Sequence, residues 1–79
     1  MSIKLAIPSR AIEVLDYIED FIDRHHYPPT YSEIQAQIGV SSKSLVAYYL
    51  KKLRDAGLIT WTPKAPRSIR LVDNAAVQI

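Results

Sequence analysis

Apolar and acidic residues separate onto opposite sides of a helical pattern in the first third of the chain. The apolar side consists of Ala11, Ile12, Val14, Leu15, Ile18, Phe21 and Ile22. The acidic side consists of Glu13, Asp16, Asp20 and Asp23. This period of 3.6 residues predicts an amphipathic helix that begins at Pro8 and Ser9. Pro28 and Pro29 require the helix to end before them, because proline lacks an amide donor and disfavours helical geometry in the preceding residue.

A second, shorter helix is predicted directly after these prolines. Thr30 and Glu33 have the spacing of a capping box, in which each side chain satisfies a free backbone amide at the other residue. Ile34 and Ile38 supply an apolar stripe. Gly39 suits the left-handed conformation that ends a helix.

A third helix is predicted after the short turn at residues 40–42, with Ser42 as its N-cap. Its apolar stripe has i, i+3, i+4, i+7 spacing and consists of Val46, Tyr49, Leu50 and Leu53. The side chains expected to point away from the core are Ser44, Tyr48, Lys51, Lys52 and Asp55. Gly57 is expected to end the helix. Two helices joined by so short a turn form a helix-turn-helix.

Two strands are predicted after the third helix, at residues 58–62 and 68–72, because both segments are rich in β-branched and apolar residues. Pro63 and Pro66 argue against a tight hairpin and predict a longer loop that carries Lys64 and Arg67. The fold class is therefore α+β, mostly α: a winged helix-turn-helix. We expect one domain over residues 1–79 with its core at about 8–72. Residues 73–79 are expected to be a flexible tail, although Val77–Ile79 could pair along a strand edge.

The charges of the chain are unevenly distributed, although the net charge is only +2. Residues 1–26 contain five acidic and three basic side chains. Residues 43–70 contain a single acidic residue, Asp55, and seven basic ones. The basic residues are Lys43, Lys51, Lys52, Arg54, Lys64, Arg67 and Arg70. This basic half suits a polyanionic partner.

A helix-turn-helix holds its second helix in the major groove of duplex DNA, while other side chains grip phosphates. We therefore expect base contacts from the exposed start of the third helix, at Lys43, Ser44, Ala47 and Tyr48. Phosphate contacts are expected from Lys51, Lys52, Arg54, Lys64 and Arg67. Tyr48 has an alternative role in core packing beside Tyr49. Trp61 is expected to cover the core rather than to contact DNA.

The chain resembles the DNA-binding domain of the LexA repressor family over roughly residues 9–72. The matching residues are Tyr27–Thr30, Ser32–Ile34, Ile38–Gly39, Leu50–Lys51, Leu53, Ala56–Ile59 and Arg67–Leu71. The resemblance implies a bacterial or phage repressor that reads an inverted-repeat operator. It also implies base-facing positions at Ser42, Ser44, Leu45, Ala47 and Tyr48.

The chain departs from this family in two ways. The family usually has proline, asparagine and two acidic residues where this chain has Lys43, Ser44, Ala47 and Tyr48, so we expect a different target sequence. Members of the family also continue into a self-cleaving protease domain that dimerises them. The residues after Val72 are too few to form such a domain. The chain is thus either an excised domain or, as we slightly favour, a free-standing regulator that binds as a monomer, as a homodimer or with a partner protein.

No enzyme activity, cofactor or metal site is expected. The two glycines serve as helix stops, and the side chains of His25 and His26 diverge at a helix end, where capping explains them better than metal binding. The chain has no cysteine, and its N-terminal segment is too short and too polar for a signal peptide or a membrane span. We therefore expect a cytoplasmic, nucleoid-associated protein. The rival function is a winged-helix module that docks an acidic partner protein, which an exposed Leu45 would suit.

Overall fold

The computed structural model describes residues 7–72 of the chain. It contains the helices α1 (Ser9–His25), α2 (Tyr31–Ile38) and α3 (Lys43–Asp55), followed by the strands β1 (Ile59–Thr60) and β2 (Arg70–Leu71). The α+β winged helix-turn-helix architecture is therefore confirmed. The predicted tail at residues 73–79 lies outside the described residues, and the single domain over residues 1–79 stays a prediction.

Short polar motifs set the helix ends where the sequence predicts them. His26 ends α1 in a left-handed conformation (φ 66°) and donates its backbone N–H to the Ile22 carbonyl at 2.8 Å. The capping box of α2 is complete, since the Glu33 amide bonds Thr30 Oγ1 at 3.2 Å and the Thr30 amide bonds Glu33 Oε1 at 2.8 Å. Gly39, at φ 78°, ends α2. Ser42 then caps α3, so only a short turn separates the two helices.

The core lies where the three helices and the hairpin meet. Its buried members are Ala11, Val14, Leu15, Ile18, Ile34, Val46, Leu50, Leu53, Ile59 and Ile69. The predicted stripe residues Ile22, Ile38 and Tyr49 are half-buried and pack against this cluster. Burial of each large aliphatic side chain is worth about 1.5–3 kcal/mol, so the apolar stripes orient α3 relative to α1 and α2.

The strands are much shorter than predicted. Instead of five residues each, they contain two, paired antiparallel with Ile59 opposite Leu71 and Thr60 opposite Arg70. At the other end the Val72 amide still donates to the Leu58 carbonyl at 3.1 Å. The cause of the shortening at the turn end lies in residues 61–69, which we call the wing loop. Pro63 and Pro66 have no amide to donate. Lys64 and Arg67 have positive φ values of 68° and 53°, which interrupt extended backbone.

A serine side chain closes the base of the wing loop in place of further strand pairing. Ser68 Oγ accepts the Thr62 amide at 3.2 Å and donates to the Thr62 carbonyl at 2.9 Å. The backbone polar groups at Thr62 are thereby satisfied without a regular ladder. The wing is thus a compact loop on a minimal hairpin.

Candidate nucleic-acid interface

The start of α3 brings the six predicted base-reading residues together. Lys43, Ser44, Leu45 and Tyr48 are exposed, whereas Ser42 and Ala47 are half-buried. The core stripe fixes which side of α3 faces inward, because Val46, Leu50 and Leu53 are fully buried. The outward side is therefore available to a ligand over the first two turns.

Ser42 has a structural role at this site. Its Oγ accepts the Leu45 amide at 3.3 Å, and its backbone is extended, as expected of an N-cap. The hydroxyl retains its proton as a donor. The predicted base contact of Ser42 stays a prediction, while its capping role is confirmed.

The adjacent tyrosines have different environments. Tyr49 packs against the core, whereas Tyr48 is 47% exposed. Their rings meet edge to face at 5.4 Å, and Lys52 Nζ lies 5.4 Å from the Tyr48 ring centroid. Packing on Tyr49 and the cation–π contact of Lys52 limit the conformations of Tyr48. Tyr48 is thus an exposed aromatic group with two packing partners on the outer side of α3.

Among the predicted phosphate contacts on α3, Lys51 and Lys52 are exposed and Arg54 is half-buried. The guanidinium carbon of Arg54 lies 5.2 Å from the Trp61 ring centroid. Trp61 packs against the core, and its ring is 6.0 Å from that of Tyr31. Trp61 therefore covers the core, as predicted, and Arg54 stacks on it.

A cleft of about 220 Å³ separates the wing loop from the starts of α2 and α3. Lys43 and Lys64 line it together with Thr30, Tyr31, Ser32, Ala65 and Pro66. The fold thus brings two lysines that are far apart in sequence to one site. The start of α2 lies at the same cleft, and the Glu33 carboxylate on the Thr30 amide offsets the positive end of its dipole, so the two lysines are the positive charges of the site.

Arg67 has protein partners of its own. Its Nη1 donates to the Pro28 carbonyl at 2.8 Å and to Glu33 Oε1 at 3.0 Å, while Nη2 donates to Glu33 Oε2 at 3.3 Å. Its guanidinium carbon also lies 4.7 Å from the Tyr27 ring centroid. We call this set of Tyr27, Pro28, Glu33 and Arg67 the wing clamp. It occupies the guanidinium that the sequence assigned to phosphate.

Glu33 connects the wing clamp to the cap of α2. The Thr30 amide and the Arg67 guanidinium both bond its carboxylate and hold the pKa of Glu33 below its ordinary value, the Thr30 amide being the larger cause. One carboxylate therefore stabilises a helix start and a loop 34 residues away at the same time.

A family model described as the LexA DNA binding domain matches residues 6–68. The chain belongs to this family. The match includes α1, α2, α3, β1 and the wing loop up to Ser68, and so it covers the proposed base-reading positions, the lysine cleft and the wing clamp.

Several LexA repressors are similar to the chain. The protein of Lacticaseibacillus casei is 48% identical over 59 residues, which are 75% of this chain and 28% of the relative. That of Acetivibrio thermocellus is 39% identical over 62 residues, which are 78% of this chain and 29% of the relative. That of Bacillus velezensis is 34% identical over 73 residues, which are 92% of this chain and 35% of the relative. The chain thus spans about a third of the length of the relatives it matches.

Sequence reasoning did not find the wing clamp or the lysine cleft. The sequence pattern places Glu33 only in the capping box. The one sequence signal for a second role of Glu33 is the presence of Arg67 in a loop that has no acidic residue. Because the partners lie 34 residues apart, no local pattern connects them. Lys43 and Lys64 likewise line one cleft only because the wing packs near the starts of α2 and α3.

The histidines belong to the end of α1. His25 stacks on Phe21 at 4.2 Å between ring centroids, and His26 is the C-cap. Within residues 7–72 no three His, Asp or Glu side chains are grouped as metal ligands would be. In the same residues, no helix combines the length and apolar character needed to cross a membrane.

Proposed function

We propose that this chain is a sequence-specific regulator of transcription, and specifically a repressor, that binds double-stranded DNA and is not an enzyme. The observation that carries the proposal is the exposed start of α3, where base-reading side chains lie beside a lysine cleft shared with the wing. Membership of the LexA DNA-binding domain family supports it. In this proposal α3 enters the major groove and the wing lies against the backbone.

The proposal divides the interface into two sets of residues. Base edges are read by Ser42, Lys43, Ser44, Leu45, Ala47 and Tyr48. Phosphates are held by Lys51, Lys52, Arg54 and Lys64. Arg67, the fifth residue assigned to phosphate from sequence, is proposed instead to hold the wing in place. Lys43 can serve both sets, because its ammonium group also borders the cleft.

The rival function, docking of an acidic partner protein, is not favoured by the family relationship. Homodimers and partner proteins stay predictions. The DNA itself distinguishes the binding modes, because two copies select an inverted repeat and a single copy selects one half-site.

The first experiment is titration of the protein into random-sequence duplexes at several salt concentrations, together with selection of bound sequences. We expect log Kd to depend linearly on log salt, because bound lysines release counterions from phosphates. Selection should enrich one motif. Absence of binding even at low salt would refute the DNA-binding proposal and favour a partner protein for the basic surface.

A pair of substitutions tests the division of roles. Tyr48→Ala should relax sequence preference, at a cost of about 1–3 kcal/mol on the preferred site and little on random DNA. Lys64→Ala should weaken binding to all sequences alike and lower the salt slope by about 0.9. Both are measured as Kd on specific and random duplexes. Equal effects of the two variants on every duplex would contradict the assignment.

A further inference from the structure

An apolar patch interrupts the cationic, polar side of α3. Leu45 and Tyr48 are 37% and 47% exposed, and their spacing of three residues makes them neighbours on the helix surface. Lys52 Nζ lies 5.4 Å from the Tyr48 ring centroid, and Lys51, three residues after Tyr48, is its neighbour on the helix surface. Exposed leucine gains nothing from contact with water or phosphate, so an apolar group on the ligand is its natural partner.

The hydrogen-bonding groups of α3 restrict which bases it can read. The helix from Lys43 to Asp55 contains no Asn, Gln or Glu, and its single acidic residue is its last. Adenine is usually read by a bidentate amide and cytosine by a carboxylate acceptor. Neither group is available near the start of α3, where the polar side chains are Ser42, Lys43, Ser44 and Tyr48.

We propose that α3 reads thymine through its 5-methyl group, with Leu45 as the specificity-determining residue and Tyr48 beside it. The 5-methyl group of thymine is the apolar feature that the major groove presents. Its burial against Leu45 removes both apolar surfaces from water. This inference rests on the proposed function and names the base class that the chain prefers.

The test replaces thymine by uracil, which keeps every hydrogen-bonding group of the base and lacks only the methyl. In a duplex recovered by the selection above, each thymine is replaced singly and Kd is measured by fluorescence anisotropy. We expect Kd to rise about fourfold at one or two positions, the equivalent of one buried methyl group. Replacement at the other positions should leave Kd unchanged.

A matched pair of variants assigns the effect to Leu45. In Leu45→Ala the sensitive positions should no longer distinguish thymine from uracil, because the side chain that contacts the methyl is gone. Leu71→Ala is the control, since Leu71 is also 37% exposed but lies on β2, beside His26 and Tyr27. It should retain the full effect of uracil. Circular dichroism and thermal melting verify that both variants are folded.

Two results would overturn the inference while leaving the proposed function intact. One is specific binding that no uracil replacement weakens. The other is an equal loss in the wild type and in Leu45→Ala, since the methyl would then act through duplex shape rather than through Leu45. A selected motif that contains no thymine would also overturn the inference alone, whereas failure to bind any duplex even at low salt would refute the proposed function itself.

Discussion

The recognition helix α3 and the wing loop both carry positive charge, but they are held in place by different means. α3 is positioned by local signals, the Ser42 cap and an apolar stripe that is buried in the core. The wing loop has two prolines, two residues with positive φ and only a minimal hairpin below it. Apart from the core contacts of Ile69 and Trp61 at its two ends, it is tied to the helices by Arg67, whose partners lie 34 and 39 residues away.

This difference shows that the number of basic residues in a segment is larger than the number of cationic groups that can bind a ligand. Lys64 and Arg67 lie in one loop and both have positive φ. Lys64 borders the open cleft, whereas the guanidinium of Arg67 is bound by Glu33 and Pro28. A basic residue acts as a DNA contact or as a structural tie according to the acceptors that the fold places beside it.

The largest effect is expected from loss of the wing clamp. Arg67→Ala should lower the free energy of unfolding by about 1–2 kcal/mol, because it removes a bidentate pair and a bond to a carbonyl that are only partly exposed. The melting temperature should fall by roughly 4–8 °C per kcal/mol, as measured by circular dichroism. DNA affinity should also fall, because the wing loses its fixed position.

Arg67→Lys separates the clamp from a phosphate contact. Lysine keeps the charge but cannot bond both oxygens of Glu33 in parallel, so the melting temperature should stay close to that of Arg67→Ala. A direct phosphate contact would be largely restored by lysine. Recovery of affinity in Arg67→Lys without recovery of stability would therefore return Arg67 to the phosphate set.

The equivalent change in α3 is loss of its cap, and the expected effect is smaller. Ser42→Ala should lower the free energy of unfolding by about 1 kcal/mol, because the Leu45 amide loses its acceptor. The neighbouring Ser41→Ala is the matched control, since the hydroxyl of Ser41 makes no cap bond to α3. Equal melting temperatures of the two variants would argue against a role for the cap in positioning α3.

The smallest effect is expected from Glu33→Gln, and its sign is informative. Removal of a negative charge should strengthen DNA binding if charge alone mattered. The clamp instead predicts weaker binding, because glutamine can still cap α2 but holds Arg67 with one neutral acceptor. Measurement of Kd at low salt decides between the two. Tighter binding by Glu33→Gln would show that the clamp does not position the wing.

The same variant predicts a pH dependence of stability. The pKa of Glu33 is lower in the folded protein, so its stabilisation is complete above the ordinary glutamate pKa of about 4.3 and is lost as pH falls through the lower folded value. The melting-temperature difference between the wild type and Glu33→Gln should therefore disappear in acid. A difference that persists after full protonation would have a cause other than the carboxylate charge.

Much of the fold could be predicted because its signals are local. The capping box of Thr30 and Glu33, the left-handed Gly39 and the Ser42 cap each act within four residues, and all are present. The exposed Tyr48 and core-packed Tyr49 follow from helical period in the same way. The predicted strands are too long, since strand propensity does not register the left-handed backbone at Lys64 and Arg67 or the Ser68 side chain that replaces strand pairing at the base of the loop.

The sequence by itself determined the order of the three helices, their approximate ends, their apolar stripes and the exposed start of α3. These follow from backbone hydrogen bonding and from a period that repeats within one helix. Only the tertiary structure decided which cations are free, because that depends on what lies beside them after folding. Arg67 meets Glu33 and Arg54 meets Trp61 only when the wing packs against α2 and α3. Lys43 and Lys64 come to line one cleft in the same way.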